Sequence, residues 1–131
     1  MHKRNRFFIT LSLIYGLIGG LIGIAWLVDP GLIPGNVALL HGHLMLLGFI
    51  AMMIYGVGLH VLPRFAGRPL FSERLADWQL YLANLGLWLM AAGWLVMRTA
   101  LLVAGGALSW LAIGLFTVNI LATVRHYGPG G

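Results

Sequence analysis

Residues 37–62 read VALLHGHLMLLGFIAMMIYGVGLHVL, and this stretch decides the fold class. It contains no Asp, Glu, Lys or Arg. As an α-helix it would be roughly 39 Å long at 1.5 Å per residue. That exceeds the hydrocarbon core of a bilayer, about 30 Å thick. The stretch therefore reads as a membrane-spanning helix, and its neighbours read the same way. A basic run, Lys3-Arg4-Asn5-Arg6, precedes an apolar span over 7–28, which Asp29-Pro30-Gly31 ends. Pro34-Gly35-Asn36 restarts the chain, with Asn36 placed to cap the helix over 37–62. Pro63 and the turn residues Gly67, Pro69 and Ser72 close that helix. Further spans follow over 76–97 and 100–124, joined by a turn so short that they must be antiparallel neighbours. Gly128 to Gly131 reads as a frayed tail.

Composition agrees with this reading. The chain has 131 residues, is 60% hydrophobic and only 8% charged, and has a mean hydropathy of +0.94. A water-soluble domain of this size has no use for so much apolar surface. A basic start before an apolar span also describes a signal peptide. The length of the span and the absence of a small-x-small cleavage site favour a retained helix. The expected fold is thus an all-α integral membrane four-helix bundle forming a single domain. With no cysteine, disulfides, thiolate metal sites, iron–sulfur clusters and covalent haem attachment are all excluded.

The net charge of +5 points to topology rather than nucleic acid. Lys3, Arg4 and Arg6, then Arg64, Arg68 and Arg74, then Arg125 fall at one end of the four spans, and Arg98 alone falls at the other. The positive-inside rule places both termini in the cytoplasm, in a bacterial inner membrane. Gly16, Gly20 and Gly23, with Gly19 beside them, read as a close-packing strip on the first helix, and Gly86 and Gly93 as another on the third. Asn84 and Asn119 read as interhelical hydrogen-bonding residues.

The histidines carry the functional signal. His2 and His126 fall in the tails as solvated residues, and His60 falls at the cytoplasmic end of its helix as an interfacial residue. His41 and His43 fall within the span, one to two turns from its outer end, where an ionisable group is a functional candidate by default. One such histidine would be read as a neutral hydrogen-bonded residue. Two, in a chain so poor in buried polar groups, point to ligation. Residues two apart on a helix are separated by about 200°. The pair therefore faces opposite ways and cannot easily share one metal ion. Imidazole suits iron and copper. For haem, a second axial ligand would come from another copy of the chain or from Met90, with Met97 nearer the outer surface. For copper, His41, His43 and Met45 offer imidazole and thioether together.

His41-Gly-His43-Leu-Met-Leu-Leu-Gly48, followed by His60-Val-Leu-Pro63-Arg-Phe65-Ala-Gly67, resembles the tenth helix of subunit I of the haem–copper oxidases. The likeness is ungapped from His41 to Gly67. The resemblance implies that the four helices correspond to the last four of that subunit. It implies that His41 ligates a high-spin haem and His43 a low-spin haem, and that Arg98 pairs with haem propionates. The family's copper, held by three histidines on other helices, has no counterpart here, so one copy cannot build an oxidase. The family's approximate threefold symmetry suggests a homotrimer with haem between subunits; a dimer is the other arrangement. The expected function is a haem b membrane protein for electron transfer or for binding oxygen or nitric oxide, with an unknown redox partner and the bilayer as its surroundings. The alternatives are a copper-binding membrane protein and a cofactor-free assembly or partner subunit.

Overall fold

A computed structural model describes residues 1–125. They form four long helices, each long and apolar enough to cross a membrane: α1 (Lys3–Val28), α2 (Val37–Phe65), α3 (Glu73–Val96) and α4 (Thr99–Arg125). The described residues contain no strand. His126 and the tail expected at 128–131 lie outside the described residues.

The helices run further than their apolar cores. α1 begins at Lys3 rather than at residue 7, and α3 at Glu73 rather than at 76. A backbone emerging from lipid can keep its hydrogen bonds in water, so polar first turns stay helical. Ring Nδ1 of His2 accepts from the Arg4 N–H (3.2 Å), so this histidine caps α1 while staying exposed, as expected of a solvated residue. Ser72, expected in the turn, is the N-cap of α3, its Oγ accepting from Leu75 N–H at 3.2 Å. Pro63 does not end α2, because a missing N–H costs little so close to a C-terminus. The helix stops two residues later. Gly67 N–H bonds Arg64 O (3.1 Å) and Arg68 N–H bonds Pro63 O (3.0 Å), with Gly67 at φ +65°. This is the Schellman arrangement, and the left-handed residue it requires is the glycine.

α2 is not α-helical throughout. Leu44–Ala51 is π-helical, beginning directly after His43. The buried residues Leu40, Leu44, Gly48 and Met52 explain it. Every fourth residue of an α-helix drifts by about 40°, or roughly 120° over three steps. The wider π turn removes this drift and keeps all four against the core.

α2 touches each of the other helices. On α1, Gly16 lies under Phe49, Gly19 under Met45 and Leu44, and Gly23 under His41, so α1 approaches with almost no side chain between. Gly20 faces open space, so the strip is Gly16, Gly19 and Gly23, and not the expected set with Gly20 in line. Gly48 sits against Tyr15 and Leu87, and Gly58 against Phe116 of α4. The Tyr55 ring is 5.5 Å from Phe8 and 5.1 Å from Phe116, centroid to centroid. α3 and α4 form an antiparallel hairpin. Gly86 meets Ser109 and Gly105, and Gly93 meets Leu102. The hairpin turns at Met97, a left-handed residue (φ 54°) whose N–H bonds Gly93 O.

Polarity is inverted relative to a water-soluble domain. Leu17, Leu27 and Trp110 are 78%, 79% and 70% exposed, while Ser12, Gln79 and Asn119 are fully buried. Lipid solvates the first group; of the second, Asn119 bonds the Ser72 backbone across the bundle, while Ser12 Oγ donates to Ile9 O of its own helix (2.8 Å). Arg4 is also buried. Its guanidinium contacts Glu73 (2.8 Å) and Asp77 (2.9 Å) at the start of α3. Phe71 N–H bonds Thr123 Oγ1 (3.0 Å), and Ser72 bonds the Asn119 amide through both its N–H (2.9 Å) and its C=O (2.8 Å). These bonds gather the start of α1, the α2–α3 loop and the end of α4 at one end of the bundle. Seven of the eight basic residues lie there, and Arg98 lies at the other end.

Candidate functional site

The site lies at the α2 start. Asn36 caps the helix, its side chain accepting from Leu39 N–H at 3.2 Å. The Asn36 N–H in turn bonds Trp94 O (2.9 Å), which docks the start of α2 on the end of α3. Gly35 makes this docking possible. Its φ of +87° is left-handed, and a Cβ there would run into the Trp94 and Leu95 backbone.

His41 and His43 then point to different neighbours, as their spacing requires. His41 enters the glycine notch of α1. Its Nδ1 is 2.7 Å from Gly19 O, and a Cβ on Gly23 would lie 2.7 Å from its Cε1. The Nδ1 of His43 is 2.7 Å from Leu39 O, one turn back on the same helix, and its ring lies 5.5 Å from that of Trp94 on α3. A carbonyl oxygen can only accept, so in both rings Nδ1 must carry the hydrogen. In the neutral imidazole this leaves Nε2 with its lone pair free. Metal-ligating histidines recur in this form, one nitrogen anchored to a backbone carbonyl and the other available. Both rings are only partly covered by their own chain.

Trp94 was not singled out by the sequence. Its Nε1–H is buried and has no hydrogen-bond acceptor among the described residues. A buried indole N–H ordinarily finds one. Nothing in a string of apolar residues marks Trp94 among five tryptophans, because its place depends on the Gly35–Asn36 docking.

The other expected residues fall as follows. Arg98 is exposed at this same end, its N–H closing the α3 terminus on Gly93 O (3.1 Å), and no side-chain contact ties it to either histidine. Met45 shares the α1 side with His41, its Sδ 2.9 Å from a Cβ placed on Gly19. Met90 faces α4, where its Sδ accepts from Ser109 Oγ at 3.9 Å, so it is turned away from the histidine pair. Met97 is exposed in the hairpin turn. His60 lies partly buried near the other end of α2. Asn84 bonds Tyr15 across to α1, with Tyr15 O–H donating to Oδ1 at 2.6 Å, whereas Asn119 holds the Ser72 backbone. Among the described residues, no three His, Asp or Glu side chains converge as a metal site. No protein family, curated protein or solved structure matches this chain.

Proposed function

We propose that this chain is a haem b-binding membrane protein related to subunit I of the haem–copper oxidases, with His41 and His43 as axial ligands in two separate sites. The observation that carries the reading is the pair of 2.7 Å bonds from Nδ1 to Gly19 O and Leu39 O, which present two Nε2 lone pairs at one depth in the bundle. The buried, unpaired Trp94 N–H beside His43 fits the same reading, since an acidic substituent of a bound cofactor would give it an acceptor. Arg98, at the same end, offers such a group a cation.

The residues divide the work. Gly23 and Gly19 admit and orient His41; Leu39 O orients His43; Trp94 packs at a tilt beside the His43 ring. When bound, haem would supply a one-electron iron couple and, with one axial position open, a place for oxygen or nitric oxide. The two histidines face apart and Met90 is turned to α4, so if haem were bound a second protein ligand would have to come from another copy of the chain. A homotrimer, with His43 of one copy and His41 of the next at each interface, supplies both ligands; a twofold dimer pairs like with like. The positive-inside rule sets the seven-cation end in the cytoplasm, with the histidines toward the outer side of a bacterial inner membrane.

A copper reading has one observation in its favour: His41 and Met45 share the Gly19 side of α2, and imidazole with thioether suits copper. His43 has no part in such a site. Absorption spectra of detergent-purified protein, oxidised and dithionite-reduced, separate the readings. A Soret band with resolved reduced α and β bands indicates six-coordinate haem and electron transfer. A Soret band that shifts with carbon monoxide indicates an open position. Copper by metal analysis with no Soret band overturns the proposal.

A further inference from the structure

A groove of about 560 Å³ runs between α1 and α3, away from the histidines. Phe7, Leu11, Leu80, Leu85 and Trp88 line it. The polar groups at its depth are occupied. Trp88 N–H donates to Tyr15 Oη (2.7 Å), Tyr15 O–H to Asn84 Oδ1 (2.6 Å), and Asn84 Nδ2 to Leu80 O (2.7 Å). A ligand with polar groups at that depth, such as a quinone ring, would compete with these bonds. A hydrocarbon chain needs none.

At the charged end two smaller depressions adjoin the groove. One shares Phe7 and is lined by Lys3, Arg6 and Thr10; the other shares Tyr81 and is lined by Arg74, Asp77 and Trp78. Glu73 and Asp77 are held by the buried Arg4, while Lys3, Arg6 and Arg74 are exposed around the mouth. Trp78 and Tyr81 are exposed beside them, the residue types found at the headgroup level. An apolar groove flanked at its charged end by exposed cations matches one kind of molecule. We infer that this groove holds the acyl chain of an anionic glycerophospholipid, with its phosphate among Lys3, Arg6 and Arg74. The lipid would staple α1 to α3, which otherwise meet mainly through Arg4 and the Tyr15–Asn84–Trp88 bonds. This inference is independent of any cofactor at the histidines.

The test is native mass spectrometry of the full chain in mild detergent, supplied with phosphatidylglycerol and phosphatidylcholine of identical acyl chains in equal amounts. The expected result is one retained lipid per chain, with roughly tenfold preference for phosphatidylglycerol. The variant Lys3→Gln/Arg6→Gln/Arg74→Gln should bring that preference close to even. Leu85→Trp, at a half-exposed groove position, should lose both lipids while keeping wild-type helicity by circular dichroism. If the triple variant does not fold, lipid exchange on the wild type at 0.05 and 1 M salt reads the same charge effect, and the preference should collapse at high salt. Equal retention of the two lipids by the wild type would overturn the inference. So would undiminished binding by Leu85→Trp, or a wild type that retains neither lipid.

Discussion

Gly23→Ala should damage the His41 site without touching a ligand. The added methyl would lie 2.7 Å from His41 Cε1 and 2.8 Å from Nδ1, closer than real Cβ atoms come to a neighbour. Either the ring leaves its notch or α1 retreats from α2. Both break the Nδ1–H bond to Gly19 O. Overpacking of this kind costs about 1–3 kcal/mol, and a lost neutral hydrogen bond about 1 kcal/mol. The summed loss of helix association is therefore roughly 2–4 kcal/mol. For a ligating histidine, removal of the supporting bond typically lowers metal affinity about 10- to 100-fold. Gly20→Ala on the same helix is the control, because nothing lies within 4 Å of its Cβ position. The assays are unfolding in rising mole fraction of a denaturing detergent and titration of apoprotein with haem. Gly23→Ala should unfold earlier and bind haem at least tenfold more weakly, while Gly20→Ala should match the wild type within about 0.5 kcal/mol. Equal behaviour of the two variants would refute the notch.

Gly35→Ala forces a side chain into φ +87° and against the Trp94 backbone, so the α2–α3 docking should weaken by about 2–4 kcal/mol, read as earlier unfolding and raised Trp fluorescence quenching by acrylamide. Tyr15→Phe removes the acceptor of Trp88 N–H and the donor to Asn84, and should cost about 1 kcal/mol, the usual scale for hydrogen bonds between membrane helices; no change in the same unfolding assay would show the bonds to be idle. Gln79 is fully buried, and neither its Oε1 nor its Nε2 has a partner among the described residues. Gln79→Met should stabilise the bundle by about 1–2 kcal/mol, and a destabilised variant would mean that the amide is satisfied by something the chain does not itself supply.

The four spans were legible because length and apolarity suffice to mark them. The N-cap at Asn36, the tight α3–α4 turn and the gathering of seven cations at one end were legible for similar reasons: each is written in local residue types. The opposed directions of His41 and His43 followed from helical angle alone. Other features were hidden by the uniform apolarity of the chain. A helix greasy on all sides has no visible phase, so the period-four burial of Leu40, Leu44, Gly48 and Met52, and the π-helical stretch it reflects, could not be read. The same uncertainty of phase put Gly20 into the packing strip and left the direction of Met90 open. Arg4 was counted as a topology signal beside Lys3 and Arg6; only the α1–α3 approach shows that it is the buried partner of Glu73 and Asp77. Trp94 became visible through contacts made by Gly35 and Asn36, nearly sixty residues away.

The proposed function rests on His41 and His43 holding iron in two separate sites. It is tested most directly by haem content per chain, measured by pyridine haemochrome, in the wild type, His41→Ala and His43→Ala, each expressed with excess haem. Haem is expected in the wild type, a reduced and spectrally altered content in each single variant, and none when both are replaced. Full haem retention in the double variant, or a wild type without haem, would contradict it.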